Sequence, residues 1–555
     1  MSASFNLVDE DWIPCVAPDG RVVYRSILAT LTDPVGFTEV RDQSPLVTVA
    51  LHRLLLAVLH RVFGPKSPAE WGQLWANGAG TFDETKLRNY LCAQVIHPSF
   101  DLFHPTHPFY QTVALPLGTP DPKNAGRGKY VKPVWQMAHE LAYSDSMNLF
   151  AHFKETDWET RPAAEAARWL VAFQGFALGG RITFASNENT KTEGSADAGQ
   201  LVKSALALVK GGTLFQTLML NLVHYSEEDS EPFAFSAKKD KPAWERDEPV
   251  KPADRRYEGY LDLLTWQSRR VKLVPEVDAG GKLLGVSGVV AMKGWQLPGF
   301  DRYTRETMCG FLKADKAPKD QDPWPPLGFR AGRELWRESH ALFQSVAEKS
   351  ERPKVLKWID DLRSAGLIAG KQLRIDVAGM NTNQAKIVYW RHESLPLPLA
   401  YLDDPALVAA LKFALKLAED VASNALRKSA WATVANRLTG ETGMNPDKER
   451  VQSLLDSFAP EPLYWSRLEL PYRDLLVTLA DAADSEARTD LVAGWFDKVL
   501  YRCARDAFDR SVGQIDAGRD LKATTVGRGL LLRSLSLIRK QNKLPDKQDP
   551  QEGAA

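Results

Sequence analysis

Three amide side chains lie close together near the middle of the chain, in the segment MNTNQAKIVYW (380–390). They are Asn381, Asn383 and Gln384, and they come just before a run of residues typical of a β-strand. An amide offers hydrogen-bond donors and acceptors without carrying a charge. Such a cluster therefore suits either a tight turn or a contact with the polar edge of another molecule, and the residues alone leave both interpretations open.

A candidate metal site lies in FDLFHPTHPFYQT (100–112), where Asp101, His104 and His107 are close in sequence. These residue types bind metal ions and could serve a metal-dependent hydrolase. Both histidines precede prolines, however, and proline disfavours the helix that would bring positions i and i+3 onto one face. The alternative is an aromatic core segment whose histidines are held by hydrogen bonds.

Sequence motifs of common enzyme classes are missing. The chain has no GxSxG, no Walker A loop, no HExxH, and no GxGxxG following a strand. We therefore expect a protein that is not an enzyme and that carries no cofactor. A purely architectural helical-bundle protein, which would bind no nucleic acid, is an alternative interpretation alongside the metal-dependent hydrolase.

One cluster of basic residues lies in PKNAGRGKYVKP (122–133), next to Tyr130 and Trp135. It has four basic residues and no acidic one among them: Lys123, Arg127, Lys129 and Lys132. Cations beside aromatic rings suit phosphate contact and base stacking. A solvated surface loop is the alternative interpretation.

A second basic cluster lies in 521–545, which contains no acidic residue. At about 100° per residue in an α-helix, Lys522, Arg533 and Lys540 fall on one face. That face is either the charged outer surface of a packed helix or a surface for a nucleic-acid backbone.

Length and composition indicate a globular protein of several domains. The chain has 555 residues, of which 44% are hydrophobic and 25% charged. Lys+Arg and Asp+Glu both number 70, so a nucleic-acid surface would have to be a local patch. Four scattered cysteines without a CxxC pair argue against a disulfide scaffold and a thiolate zinc site.

The same patterns predict a cytoplasmic location. The first residues, MSASFNLVDEDWIP, lack the basic and apolar regions of a signal peptide. We also expect no membrane contact, because no stretch approaches the roughly 18 apolar residues of a membrane span.

The pattern of secondary structure changes near residue 400. Before it, short helices alternate with strand-like runs and Pro/Gly turns, and one apolar helix is predicted from Pro45, with Ser44 as its N-cap, to Gly64. After it, an amphipathic helix follows Asp404, and three more are predicted at roughly 463–482, 485–513 and 520–541.

This change predicts the domain organisation. We expect an α+β domain of irregular mixed architecture over 1–400 and an all-α four-helix bundle over 401–545. The tail, 546–555, has no apolar face and is predicted to be disordered.

Seven segments of the chain, in their order, resemble the large subunit of the type I-E CRISPR surveillance complex Cascade, known as the CasA family. They span most of residues 6–395 and are NLVDEDWIPC, FDLFHPTHPFYQT, NLFAHFKETDW, GGTLFQTLMLNLV, LLTWQSRRVKL, CGFLKADK and GMNTNQAK. The C-terminal region agrees with the family in architecture more than in motif. The resemblance implies an N-terminal α+β domain, a C-terminal four-helix bundle and a function without catalysis.

The resemblance also implies partners. The family works with a guide CRISPR RNA and with the backbone, handle-binding and small subunits of Cascade. It checks the protospacer-adjacent motif (PAM) of double-stranded target DNA, starts strand separation and presents the target to a helicase-nuclease effector.

The family reads the PAM from the minor groove with a glutamine wedge, a lysine finger and a glycine loop. By resemblance, Gln384 is the wedge, flanked by Asn383 and Ala385. The lysine finger is Lys313 or Lys316, with Lys316 preferred.

Two further loops are implied by the resemblance. The glycine loop follows AFQGFALGG and is represented by Gly179 and Gly180. The loop that contacts guide RNA and DNA corresponds to NLFAHFKETDW, where Phe150, with His152 and Lys154, is the expected contact.

Overall fold

The computed structural model describes residues 3–77, 80–138, 158–181, 195–247, 251–297, 306–314, 323–330, 332–343, 350–383, 386–512 and 521–545. The chain forms two compact units. The first comprises Met1–Ala331 and Val346–Ser394, and the second comprises Gly332–Ser345 and Leu395–Ala555. The protein is thus mixed α/β with a helical C-terminal region.

The strands belong to the first unit, except that the last of them runs on into the second. They are β1 Ile13–Val16, β2 Val22–Arg25, β3 Glu39–Val40, β4 Lys132–Pro133, β5 Gly180–Arg181, β6 Ser195–Ala196, β7 Leu206–Lys210, β8 Ala253–Asp254, β9 Arg269–Val277, β10 Leu283–Lys293, β11 Trp295–Gln296, β12 Phe311–Leu312, β13 Ser350–Glu351, β14 Gln372–Asn383 and β15 Lys386–Pro398.

These strands form several small sheets instead of one large one. The three-stranded sheets have the orders β2-β1-β3, β4-β10-β9 and β15-β14-β7, and two-stranded pairs join β5 to β6, β8 to β11 and β12 to β13. Small separate sheets agree with the irregular α+β architecture predicted for this region.

The first unit also contains α-helices, which alternate with these strands along the sequence. They are α1 Ile27–Thr32, α2 Pro45–Val62, α3 Pro68–Asn77, α4 Glu84–Leu91, α5 Ala163–Phe176, α6 Leu214–Asn221, α7 Tyr260–Leu264 and α9 Lys354–Ser364.

The central helix of the first unit is α2, which begins at Pro45 as predicted and ends at Val62. By length and hydropathy its 18 residues could span a membrane, so the expectation that no stretch approaches this limit is wrong. However, 78% of the helix is buried inside the protein. Ser44 occupies the N-cap position, but its side chain makes no capping hydrogen bond.

Apart from the end of β15, the regular secondary structure that the structure describes in the second unit is helical. Its helices are α8 His340–Phe343, α10 Pro405–Asp420, α11 Lys428–Thr442, α12 Lys448–Phe458, α13 Pro460–Asp481, α14 Ser485–Gly494, α15 Tyr501–Arg510 and α16 Leu521–Gln541. The π-helical segment Val421–Arg427 joins α10 to α11, and Trp495–Leu500 joins α14 to α15.

The predicted helices of this unit are present with shifted bounds. The Asp404 side chain caps α10 by accepting a hydrogen bond from the Leu407 N–H at 2.9 Å, as its position before Pro405 suggested. That helix continues through a π-helical segment until Gly443 ends α11 in the left-handed conformation at φ 69°. The short helix α12 was not predicted.

A segment far from residue 400 also belongs to the second unit. Trp336 stacks on Tyr472, with 4.6 Å between ring centroids, and the Arg337 guanidinium donates three hydrogen bonds to Glu419, one at 2.8 Å and two at 3.0 Å. Both residues lie in Gly332–Ser345, which is separated in sequence from the rest of the unit.

Candidate nucleic-acid interface

The predicted PAM-reading segments are organised around β7. In the antiparallel pairing of β14 with β7, Arg374 lies opposite Lys210 and Ala378 lies opposite Leu206. Leu206 also forms an antiparallel bridge with Cys309. Because both partners run antiparallel to β7, the chain after Ala378 and the chain after Cys309 both continue past the N-terminal end of β7.

The amide segment forms the C-terminal end of β14. Asn383, its last residue, is exposed. Asn381 instead donates a hydrogen bond to the backbone carbonyl of Phe329 at 2.7 Å, so this amide has a structural partner. Gln384 and Ala385 join β14 to its sheet neighbour β15 and lie outside the described residues.

A glycine allows this strand to approach its neighbour closely. A Cβ at Gly379 would lie 2.3 Å from the Ser204 carbonyl oxygen. No larger residue fits there without moving the backbone, and the sequence signal was the glycine that precedes the amides.

Backbone hydrogen bonds through Leu327 link the segment that carries Lys313 to Ala205, the residue just before β7. Leu327 donates from its N–H to the Gly310 carbonyl at 2.7 Å, and Ala205 donates to the Leu327 carbonyl at 2.7 Å. Lys313 follows β12, is exposed, and places its Nζ 5.7 Å from the centre of the Trp324 ring. Lys316, the preferred candidate for the lysine finger, lies outside the described residues.

Gly179 and Gly180, which the resemblance assigned to the glycine loop, lie where that loop begins. Gly180 in β5 pairs with Ala196 in β6 and has φ 138°, a conformation that favours glycine. A Cβ at Gly179 would lie 2.7 Å from the Ala198 N atom. Both glycines thus have a backbone reason for their identity, and the loop between β5 and β6 lies outside the described residues.

Arg269 holds the two ends of this loop together, which sequence reasoning missed. Its side chain is buried, and its Nη2 donates to the carbonyls of Leu178 and Asp197, each at 2.8 Å. The segment LLTWQSRRVKL marked this region as similar to the family, but nothing in the spacing indicated a contact across more than 70 positions.

A network of charges lies at the opposite end of β14. Lys210 Nζ is 2.7 Å from the Glu39 carboxylate and 3.9 Å from that of Asp376. Burial raises the pKa of the Asp376 carboxyl, but hydrogen bonds from His392 and Ser394 outweigh it. Together with the charge of Lys210 they lower this pKa to about 2. The carboxylate therefore stays ionised at neutral pH and helps to fix β14 against β7.

The basic loop 122–133 divides into two kinds of residue. Arg127 has partners within the protein: it forms a 2.7 Å ion pair with Glu276, and its guanidinium lies 4.4 Å from the centre of the Trp158 ring. Lys129 and Lys132 are exposed. The side chain of Lys123 lies outside the described part of the loop.

The basic residues of α16 divide in the same way. Arg528 pairs with Asp509 at 2.6 Å and Arg539 with Asp497 at 3.0 Å. The three residues predicted to share a face are exposed: Lys522, Arg533 and Lys540. They are the ones that remain for contact with phosphates.

The predicted guide-RNA contacts Phe150, His152 and Lys154 lie outside the described residues. Their segment ends at Trp158, where the described chain resumes.

The candidate metal ligands are not brought together. The Asp101 carboxylate accepts hydrogen bonds from the N–H groups of Phe5 at 3.0 Å and Phe103 at 2.8 Å. His104 Nδ1 accepts from the His107 N–H at 3.0 Å, and the two imidazole rings are 6.2 Å apart. Within the described ranges, no group of three or more His, Cys, Asp and Glu residues could hold a metal ion.

Comparison with known proteins identifies the family. The sequence matches the family CRISPR-associated protein Cse1 over residues 6–507. It is 31% identical over 481 residues to the CRISPR-associated protein CasA/Cse1 of Thermus thermophilus, covering 84% of this chain and 85% of that protein.

Solved structures agree with this assignment. The crystal structure of CRISPR-associated protein Cse1 from Acidimicrobium ferrooxidans is 26% identical, with 97% of this chain and 99% of that chain covered and a TM-score of 0.76. A chain described as belonging to a CRISPR RNA-guided surveillance complex shares the fold, at 18% identity, 97% and 99% coverage and a TM-score of 0.70. The resemblance drawn from the sequence is confirmed, and the chain belongs to the Cse1 (CasA) family of CRISPR-associated proteins.

Proposed function

We propose that this chain is the large subunit of a type I-E CRISPR surveillance complex, and that it reads the PAM of duplex DNA and starts strand separation. One observation carries the proposal: Leu206 lies opposite both Ala378 and Cys309. The segments that lead to Asn383 and to Lys313 therefore leave the sheet at the same end. A duplex at this end would meet an amide and a lysine together.

The chemistry of these residues suits the minor groove. The groove distinguishes A·T from G·C pairs but is nearly blind to their orientation, so uncharged amides and a lysine match its degenerate acceptors. Separating a base step costs a few kcal/mol, which an inserted side chain can offset. Gln384, next to the exposed Asn383, is the proposed wedge, and Ala385 and the glycine loop would shape the contact. Pairing with the guide RNA would then supply sequence specificity.

The proposed partners follow from the family and from the exposed cations. A chain with this fold is part of a CRISPR RNA-guided surveillance complex, which supports assembly with guide RNA and with backbone, handle-binding and small subunits. The exposed Lys129 and Lys132 in the first unit and the basic face of α16 in the second are proposed phosphate contacts. We propose that the chain recruits a helicase-nuclease effector, has no catalytic activity of its own and acts in the cytoplasm.

The helical unit is proposed to be a four-helix bundle with two added short helices among its described residues, α8 and α12. Its four long helical stretches are Pro405–Thr442, Pro460–Asp481, Ser485–Arg510 and Leu521–Gln541. Within it, α11 packs on α16, α13 on α15, and α10 on α14. These neighbours bury their apolar faces against one another, as helices of a bundle do.

The proposal is tested by assembling the guide-loaded complex with and without this chain. Binding is measured to duplexes that share the target sequence and differ only in the flanking base pairs. We expect discrimination of about 1–3 kcal/mol for each PAM base pair that is changed between A·T and G·C, and only when the chain is present. Equal discrimination without the chain, or none with it, would refute PAM reading.

A further inference from the structure

A cavity of about 520 Å³ lies in the first unit and shares no lining residue with the segments that carry Asn383 and Lys313. Its walls come from segments within 95–114, 241–247 and 255–267, and from Trp295. Its size is within the range of small-molecule sites. The candidate metal ligands His104 and His107 are among its lining residues.

The acidic side chains of the cavity have little capacity left for a ligand. Glu245 accepts hydrogen bonds from Arg61 at 2.7 and 3.0 Å. Asp262 accepts two from Arg255, at 2.6 and 2.9 Å. The remaining acid, Asp247, is exposed to solvent. The acceptors that face the cavity are therefore largely satisfied by the protein.

Some donors of the cavity, by contrast, lack a hydrogen-bond partner within the described part of the chain, although Arg255 is paired with Asp262. Thr112 is 6% exposed, and its Oγ1 has no hydrogen-bond partner among the described residues. Arg246 Nε is likewise buried without a partner among them, whereas Nη1 and Nη2 of the same guanidinium pair with Glu258 and Asp262. Because His104 Nδ1 accepts from a backbone N–H, the neutral ring carries its proton on Nε2, which is a donor. Lys241 adds an exposed cation.

Flat aromatic surfaces complete the lining. The guanidinium of Arg255 lies between two indole rings, 4.3 Å from the centre of Trp266 and 4.7 Å from that of Trp295. This sandwich fixes Trp295 from one side. Tyr110 is fixed by stacking on Phe109, with 4.2 Å between ring centroids and 8° between planes. Tyr110 also has φ 54°, a conformation that is rare for a bulky residue and that the surrounding structure must hold.

We propose that this cavity binds a single nucleotide. Unsatisfied donors and a cation match the oxygens of a phosphate and the acceptors of a base, and aromatic walls match the face of a base. The nucleotide is either a free 5′-mononucleotide or one unstacked residue of a single-stranded RNA. This site is additional to the proposed reading of the PAM, since the two share no residue.

The first test measures binding of AMP to the purified full-length chain by calorimetry and by tryptophan fluorescence. Adenosine, which lacks the phosphate, and ribose 5-phosphate, which lacks the base, should each bind about tenfold more weakly than AMP. A short oligoadenylate is the second arm. Tighter binding of the oligomer than of AMP would identify a strand as the source of the nucleotide, and the reverse would identify a free nucleotide.

Matched lysine variants locate the binding. Lys241 lines the cavity, whereas Lys239 is exposed two positions away and does not. Lys241→Met should weaken binding of the better ligand about tenfold, and Lys239→Met should leave it unchanged. Equal effects of the two substitutions, or no binding of AMP or oligoadenylate at millimolar concentration, would overturn the proposal.

The Thr112→Val variant tests the buried hydroxyl independently. If Oγ1 is reserved for a ligand, removing an unsatisfied hydroxyl should raise the thermal unfolding midpoint of the unliganded chain while it weakens AMP binding. A lower midpoint together with unchanged binding would show that the hydroxyl is structural and would contradict the assignment.

Discussion

Replacing Arg53 by methionine is expected to lower the free energy of unfolding of the first unit by about 3–5 kcal/mol. Arg53 on α2 and Glu306 are 3% and 5% exposed at their side chains, and Arg53 Nη1 donates to both Glu306 oxygens at 2.7 Å. Arg53 also donates to the Leu263 carbonyl at 3.2 Å. Removing the guanidinium leaves a buried carboxylate without its partner, and that desolvated charge destabilises the folded state.

Urea unfolding of Arg53→Met, Glu306→Leu and the double variant measures this effect. The double variant should recover most of the lost stability, because two apolar side chains can replace a buried ion pair at little net cost. Losses in the double variant that equal the sum of the two single losses would contradict the importance of the pairing.

The same ion pair has a predicted functional effect. Glu306 begins the described segment 306–314, which carries Lys313, and its carboxylate also accepts from the Met308 N–H at 3.2 Å. Each single variant should therefore loosen this segment and reduce PAM discrimination, even though neither residue is proposed to contact DNA.

Acidification from about pH 7 to about pH 5 is expected to destabilise the first unit by about 2 kcal/mol for each of two buried histidines. Burial lowers the pKa of His60 to about 3. Burial, with the charge of Lys210, lowers the pKa of His52 to about 4. In the unfolded chain both take up protons near the ordinary pKa of about 6.5. The two histidines therefore cost no stability above the unfolded-state pKa. Below it, the free energy of unfolding decreases as the pH falls towards the folded-state pKa values.

The measurement is the urea midpoint as a function of pH for the parent, for His60→Phe and for His107→Ala. His60 lies edge-on to Tyr260 at 4.9 Å, so phenylalanine can keep the ring contact without a titrating group. Between about pH 7 and about pH 5, the urea midpoint of His60→Phe should show about half of the parent's pH dependence. The control His107→Ala, at an exposed position, should show all of it. A parent-like slope in His60→Phe would be inconsistent with a neutral buried histidine.

The amide segment shows what local sequence could and could not predict. Three amides within four positions were visible without any structure, whereas the close approach of the backbone at Gly379 was not predicted. The contact from Asn381 to the Phe329 carbonyl could not be predicted, since 52 positions separate the two residues. Which amide is structural and which is exposed depends on tertiary packing.

The basic loop gives the same lesson for charge. Within 122–133 Arg127 has no acidic neighbour in sequence, and the partner that it finds, Glu276, is 149 positions away. Local composition correctly located a basic loop. It could not distinguish the ion-paired arginine from the exposed Lys129 and Lys132, because ion pairing is decided by the fold.

The start of one helix could be predicted from local sequence signals, but its continuation could not. The start of α10 was predictable from Asp404 and Pro405, because both are local start signals. Its continuation through Val421–Arg427 into α11 was missed, since π-helical turns have no simple sequence signature.

The central claim is that Gln384 acts as a wedge beside the first separated base pair. It is tested most directly by comparing the parent chain with Gln384→Ala, each in the assembled complex, on a fully paired target and on a target already unpaired next to the PAM. We predict a loss of about 1–3 kcal/mol on the paired duplex, recovery of most of that loss on the pre-opened one, and unchanged incorporation of guide RNA. Equal binding of both proteins to the paired duplex would contradict the wedge and leave the amide segment with a structural role only.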